Sequence, residues 1–365
     1  MNSLVRGLFI NNKKAQDSIY ESGYMVYECL LLSKQYQLDY IEIDINNREI
    51  KTGYDFYFFN YHPVTMGWLE TRFLKKELGF VITMILEVSP NDAFVLCPEK
   101  DFTVYCALDP SLRSKQKNLF VFPRPLTKIN FELPVITNEV PVIGSFGFGT
   151  KGKGFQHVVE AVNKEFDKAI IRINIPYGDF IPESKKYALY LGEVCKQKAK
   201  PGIEVRVTHD FMNREELIKW CNVNTLNCFL YDRNMPGLSA TTDQAIVTQK
   251  PMSVSNNDTF RHITAYLPPY PSFSLKDSIE RSSPLIKKMN DDWQAEKFTE
   301  KFEEVLNIYA KDIAARSAAI GVYTLPIRRK TIIDTINKRV KKYKRKIKKL
   351  NFNTLLTVRN TNEII

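Results

Sequence analysis

The sequence predicts an α/β protein in two halves, each a largely parallel sheet wound on both faces by helices. Three observations lead there. Short apolar, β-branched runs alternate with stretches of helical periodicity along most of the 365 residues. In the second half they recur at the roughly 25–35-residue spacing of strand–helix–strand crossovers. Pro123, Pro125 and Pro134 break the alternation and mark a linker over 123–139. A glycine-rich run, 147–154, follows an apolar strand directly, and doubly wound sheets hold ligands at the carboxyl ends of such strands.

In the first half, Leu4–Ile10 reads as a strand and Ala15–Leu32 as a helix through Ile19, Met25, Val26, Cys29 and Leu30. Gly23 disfavours a helix interior by about 1 kcal/mol, which places the helix start near Ser22 with Ile19 still in the loop. Tyr40–Ile45 alternates as a strand does, Asp55–Tyr61 is an aromatic strand, and Trp68–Leu78 is helical. Phe80–Val88, Phe94–Cys97 and Thr103–Ala107 complete this half.

In the second half, strands are expected at Val140–Phe146, Ala169–Ile175, Ile203–Thr208, Leu226–Tyr231 and Pro251–Val254. Helices fall between them at Phe155–Phe166, Glu183–Gln197, Asn213–Cys221 and Ala240–Thr248. Asn213 followed by Glu216 is an N-cap pattern. Residues 276–324 read as largely helical. The expected units are therefore 1–130, 140–275, a helical segment 276–327 packing back on the first unit, and a tail 328–365.

Composition narrows the function. Hydrophobic residues at 44% and charged residues at 25% fit a soluble globular chain. No apolar run reaches the ~18–20 residues that span a bilayer, and the apolar part of 1–10 is too short for a secretory signal. Cys29, Cys97, Cys106, Cys195, Cys221 and Cys228 form no C-x-x-C pair, so buried free thiols in a reducing compartment are expected rather than zinc ligands. The +11 net charge sits in one place. Between Arg328 and Leu350 twelve basic residues face one acid, Asp334, which accounts for all of it. Binding of nucleic acid by the whole surface is not supported.

The chemistry concentrates in two loops. After the strand ending at Phe146 come Gly147, Phe148, Gly149, Thr150, Lys151, Gly152, Lys153 and Gly154. Glycines let backbone approach a ligand, a helix start offers N–H groups to an anion, and two lysines suit a diphosphate. The spacing is neither a Walker loop nor a good dinucleotide fingerprint, and a simple glycine-rich turn is the rival reading. The second loop, Gly237-Leu238-Ser239-Ala240-Thr241, opens a helix carrying Asp243 and Gln244 at the end of the fourth strand. Two such loops on neighbouring strands can share one diphosphate, provided they meet in one crevice.

On these residues the sequence resembles the C-terminal half of the GT-B glycosyltransferases, in particular the retaining group of glycogen-synthase-like and bacterial mannosyltransferase-like enzymes. Their first loop reads G-R-x-x-x-x-K-G. Gly147, Lys153 and Gly154 match it, and Phe148 stands where the arginine is expected, with Lys151 as the substitute charge. Their second loop reads E-G-F-G-x-x-x-x-E-A-x-x-x-G-K-P. Gly237-Leu238-Ser239, Ala245, Lys250 and Pro251 match, while Pro236 and Gln244 occupy the two glutamate positions. The resemblance implies two Rossmann-like domains and a nucleoside diphosphate sugar as donor. It gives Gln244, with Asp243 beside it, to the ribose, and with Pro236 at the sugar-contacting position it implies another acid such as Asp232, a different donor preference, or a loss of catalysis. Phe211 and Met212 lie where such enzymes hold the base, and a loop with one buried aromatic is the equal alternative.

His62, after the aromatic strand, suits a hydrogen bond to donor sugar or leaving phosphate, against a structural role at the cleft edge. His157, His209 and His262 form no triad, and Asp39, Asp44 and Asp291-Asp292 form no Asp-x-Asp metal motif. No metal or other cofactor is therefore expected. The expected catalytic set is Lys153, Lys151, Asp243 and His62. In the tail, Ile333, Ile336, Val340, Tyr343, Ile347 and Leu350 form one stripe on a basic helix, suited to an anionic membrane surface or, alternatively, to a partner helix or nucleic acid. The resulting expectation is a cytoplasmic, peripherally membrane-bound transferase acting on a glycan, lipid-linked or protein acceptor. A catalytically silent sugar-nucleotide binder of the same fold, or a protein binding anionic polymers through its tail, are the rivals.

Overall fold

The structure is a computed structural model that describes residues 4–14, 18–63, 65–85, 101–178, 183–233, 237–315 and 319–328. The Phe94–Cys97 strand, Cys97, Pro236 and the amphipathic tail beyond Arg328 lie outside the described residues.

The first half contains β1 (Val5–Asn12), α1 (Ser18–Leu30), β2 (Tyr36–Ile43), β3 (Glu49–Thr52), β4 (Phe56–Phe59), α2 (Leu74–Leu78), β5 (Val81–Ile85), β6 (Val104–Ala107) and β7 (Leu119–Val121). Six of the strands form one sheet in the order β2-β1-β4-β5-β6-β7, every pair parallel. The second half contains β8 (Val142–Phe146), α3 (Phe155–Glu165), β9 (Ala169–Asn174), α4 (Ser184–Lys198), β10 (Ile203–Thr208), α5 (Arg214–Asn222), β11 (Leu226–Phe229), α6 (Thr241–Val247) and β12 (Met252–Val254). Its five-stranded sheet runs β10-β9-β8-β11-β12, again parallel throughout. Strands buried on both faces read as near-continuous apolar runs, and Phe56–Phe59 has no exposed residue.

After β12 come α7 (Arg261–Thr264), α8 (Leu275–Arg281), α9 (Ser283–Asp292), α10 (Ala295–Ile308), α11 (Ala310–Ala315) and β13 (Gly321–Thr324). The α10 face of Ala295, Phe298, Phe302, Val305 and Leu306 joins α1 in the core of the first sheet. Phe302 meets Tyr36, Phe56 and Phe58 edge-on at 5.5–5.8 Å, a geometry that adds about 0.5–1.5 kcal/mol to area burial. The chain thus crosses between the halves twice, and the crossings lie side by side. Phe122 packs on Phe298 on the first-sheet side, while the Leu126 N–H donates to the Trp293 carbonyl on the other.

Three expectations change. The first helix starts at Ser18, not Ser22, and carries Gly23 inside it. A β-carbon at Gly23 would stand 2.1 Å from Asn60 Nδ2 and 2.6 Å from Asn11 Oδ1, so close packing outweighs propensity there. The 123–139 segment has no regular structure, yet it is anchored. Leu126 enters the second core, and Asn222 Nδ2 donates to the Pro134 carbonyl at 2.8 Å. The 276–324 stretch ends in a strand, since β13 pairs antiparallel with β3. Missed as well were β3 and β7, short strands with little periodic signal.

Candidate functional site

In each sheet the strand order reverses once, between β1 and β4 and between β8 and β11. Crevices form at the carboxyl ends of strands at such switch points. Both open into one cleft of about 1040 Å³. The first half contributes the opening turns of α1, with Ile19, Tyr20, Glu21, Ser22 and Tyr24, together with Lys14 and Glu42. The second half contributes the loops after β8 and β11 and the segment from Phe211 to Glu215.

The two loops are bonded to each other. The Gly152 carbonyl accepts from the N–H groups of Asp232 at 3.1 Å and Arg233 at 3.3 Å. His157 of α3 bridges Glu160 at 2.9 Å and Asp232 at 3.1 Å. Burial alone would lower its imidazole pKa, but the two carboxylates hold it above the usual value. Where the loops meet, a β-carbon on Gly147, at φ +144°, would stand 3.4 Å from Thr241 Cγ2 and 3.5 Å from Lys153 Nζ.

Lys153 is the centre of this junction. Its side chain is buried, and Nζ donates to Tyr231 Oη at 2.9 Å. Tyr231 Oη lies 2.9 Å from Thr241 Oγ1 and accepts from Ser239 Oγ at 3.3 Å, and the two smaller hydroxyls are 2.7 Å apart. Burial lowers the Lys153 pKa, and the Arg233 charge adds to this, while Tyr231 opposes it. For Tyr231, burial raises the phenol, but the Lys153 ammonium and the surrounding hydrogen bonds outweigh it and bring it below the usual value. On one side of the junction Phe148 and Phe211 face each other at 6.4 Å, tilted by 38°, with Phe211 half exposed. Met212, Leu238, Ala240 and Gln244 continue the wall.

The remaining expected residues are placed differently. Gly149 turns away from the cleft toward α4, where a β-carbon would meet Ala188 and Ile175 at 3.2–3.3 Å. Gly154, at φ +66°, would drive a β-carbon to 1.7 Å from the Leu230 carbonyl oxygen, so packing requires glycine there. Lys151 is exposed, and neither it nor Gly237 is among the described cleft residues. Asp243 reaches the cleft, but its carboxylate is held by Arg124 through Nε at 3.0 and 3.1 Å and Nη2 at 2.6 Å, with both side chains 3% exposed. Both of its oxygens are thus engaged in fixing Arg124. His62 is buried, and its carbonyl accepts from the Thr65 and Met66 N–H groups in a turn outside the cleft lining. Asp232 lines a separate hollow with Asn257 and Arg261 and is not among the residues of the cleft. His262 stacks on Trp293 in the core, where burial, with Arg124 and Arg261 nearby, drives its pKa well below the usual value.

The resemblance already put the Ser22-Gly23 entry of α1 at the cleft, but sequence reasoning missed Arg124, Tyr231 and the α1 side chains that form its wall. Tyr20 Oη donates to Glu42 Oε1 at 2.9 Å, Tyr40 Oη donates to the same oxygen at 3.2 Å, and the Lys14 N–H donates to Oε2 at 3.0 Å. Burial and the Glu42 hydrogen bond push the Tyr20 phenol up to about 12, which keeps it a donor. Arg214 of α5 spans the cleft to Glu28 at 2.6 Å and Glu21 at 3.2 Å on α1. Only the ladder of Tyr20, Tyr24 and Glu28 at helical spacing could have flagged this wall in the sequence.

By sequence the chain matches no family model and none of the curated proteins. Solved structures match it over most of their length. HepE of Anabaena, solved with UDP and glucose, is 9% identical with a TM-score of 0.55, covering 83% of this chain and 100% of its own. A glycosyltransferase from Rickettsia africae is 11% identical at a TM-score of 0.57, covering 85% and 99%. Sucrose-phosphate synthase from Thermosynechococcus elongatus is 12% identical at 0.57, covering 85% and 100%. The chain has the GT-B fold. In this GT-B protein the cleft between the two sheets is where the loops after β8 and β11 meet. None of its described helices is long and apolar enough to cross a membrane.

Proposed function

We propose that this protein is a glycosyltransferase that moves a sugar from a nucleoside diphosphate sugar to a hydroxyl of a glycan, lipid-linked or protein acceptor. The observation that carries this reading is the convergence of two loops from neighbouring strands at Lys153, where Gly147 comes close to both Thr241 and the Lys153 Nζ. The presence of UDP and glucose in the similarly folded HepE supports it. In this reading the diphosphate lies between the Gly147 backbone, Lys153 and the Ser239 and Thr241 hydroxyls. The base lies against Phe211 and Phe148, and the Gln244 amide meets the ribose. Donors fixed where negative charge develops on the departing diphosphate stabilise the transition state without reorganising. The acceptor enters along Tyr20, Tyr24 and Glu42, and closure of the halves keeps water from the donor. The countercharge comes from side chains, so activity should survive chelation of divalent metals. The basic segment from Arg328 to Leu350 would bring the enzyme to anionic membranes, a reading that vesicle flotation tests.

Incubation with a panel of radiolabelled nucleotide sugars tests the reading. One donor should be turned over, and Lys153→Ala should lower the rate by about 10²–10³-fold, the usual loss of one transition-state donor. Turnover that is indifferent to Lys153 would refute the site. The engagement of the Asp243 carboxylate by Arg124 favours a second reading, a sugar-nucleotide binder without catalysis. It would show donor binding with neither transfer nor hydrolysis.

A further inference from the structure

One cation is a meagre grip for a diphosphate, and the exposed Lys151 does not supply the second. Another positive group does line the cleft, on the other loop. Arg233 follows Tyr231 by two residues, and its backbone is fixed by the 3.3 Å bond from its N–H to the Gly152 carbonyl. Gly152, at φ +79°, leaves room for this approach, since a β-carbon there would stand 2.4 Å from Arg233 Cβ. The Arg233 guanidinium lies 5.5 Å from the centre of the Tyr231 ring, the ring whose hydroxyl accepts from Lys153. Its Nε is closed off from solvent and has no hydrogen-bond partner among the described residues. A buried donor left unsatisfied is costly and marks a place where a partner belongs. Asp232, the nearest acid in sequence, is bonded to His157 instead. Among the described residues the fold therefore sets two like charges against one aromatic ring, and neither is ion-paired with a carboxylate. A dianion in the cleft would satisfy both.

We propose that Arg233, delivered from the loop after β11, is the second cation of the diphosphate site and occupies the role left open by Phe148. This rests on the nucleotide-sugar reading and specifies how that donor is held. An arginine fork gives phosphate oxygens two parallel N–H bonds where a lysine gives a point charge, and the Tyr231 face steadies the guanidinium.

Calorimetric titration of the full chain with inorganic pyrophosphate, and in parallel with UDP, decides it. Arg233→Gln should weaken pyrophosphate about tenfold or more, the scale of a lost charge-assisted bond. Arg233→Lys should lose part of that affinity, and Lys151→Gln, at an exposed position outside the cleft lining, should stay within about twofold of the parent. The unliganded melting temperature checks that Arg233→Gln folds. If it does not, Arg233→Lys decides alone: weaker binding supports the assignment and unchanged binding overturns it. If Arg233→Gln folds and binds pyrophosphate as tightly as the parent, Arg233 is outside the site while the donor reading stands. If the parent binds neither pyrophosphate nor UDP, the donor reading fails, and this assignment fails with it.

Discussion

Lys153 brings a positive charge into a place that water barely reaches, and this sets how the site responds to pH. Burial and the neighbouring Arg233 charge both favour loss of its proton, while Tyr231 favours keeping it. An anion is gripped by the protonated amine. Pyrophosphate affinity should therefore fall as pH rises through the lowered Lys153 pKa, before the ordinary lysine value of 10.5 is reached. Tyr231 is the counterweight, so Tyr231→Phe should move this alkaline limb to lower pH. Lysine and phenol release their protons in overlapping steps, and the variant leaves the lysine step alone. Dissociation constants measured from about pH 7 to 10, below the normal lysine range, give the test. A limb that stays put in Tyr231→Phe would mean that the hydroxyl does not hold the ammonium.

At the scale of elements, glycines at strand–helix junctions divide into those that face the cleft and those that let elements touch. Gly154→Ala combines a left-handed φ of +66° with a β-carbon 1.7 Å from the Leu230 carbonyl oxygen. It should destabilise by more than about 1 kcal/mol, the usual limit for glycine effects at compatible positions, and should weaken pyrophosphate by displacing the loop. Gly321→Ala in β13 would meet Thr52 Oγ1 at an ordinary 3.4 Å and should be close to neutral when both variants are unfolded in urea. Equal losses would mean that the α3 junction tolerates a side chain. The same division marks how far the sequence could be read. The alternation of strands and helices was legible because each crossover is local. So was the cap of α5, where Asn213 Oδ1 accepts from the Glu216 N–H and Glu216 Oε2 accepts from the Asn213 N–H. Gly149 and Gly154 were legible as loop glycines but not as packing glycines, because their neighbours Ala188 and Leu230 come from distant segments. Lys151 was read as a cleft residue and instead stands exposed outside the cleft lining for the same reason. Side-chain direction out of a loop depends on what it packs against. The β3–β13 pair was out of reach, since it joins residues 49–52 to 321–324.

The whole molecule is held by ion pairs of two kinds, and they differ in what their loss should cost. Arg124 and Asp243 are each 3% exposed and fasten the segment after β7 to α6. Asp109, 2% exposed, meets Arg261 at 2.7 Å and ties the end of β6 to α7. Removing one partner of such a pair leaves a buried charge uncompensated, which costs about 3–5 kcal/mol. Across the mouth of the cleft, Arg214 reaches Glu21 and Glu28, whose side chains are 53% and 46% exposed. Exposed pairs contribute at most about 1 kcal/mol and weaken with salt. Asp243→Ala should therefore lower the stability read from urea unfolding by about 3–5 kcal/mol, and Glu28→Gln by less than about 1 kcal/mol. The contrast has a mechanical meaning. The chain crosses between the halves only where Phe122 meets Phe298 and Leu126 meets Trp293, among the described residues. A pivot there needs a rigid anchor on one side, supplied by Arg124 and Asp243, and weak, exchangeable contacts at the far edge, supplied by Arg214. If Glu28→Gln proved as damaging as Asp243→Ala, the far edge would be a fixed strut. Donor and acceptor would then have to enter a cleft that does not open.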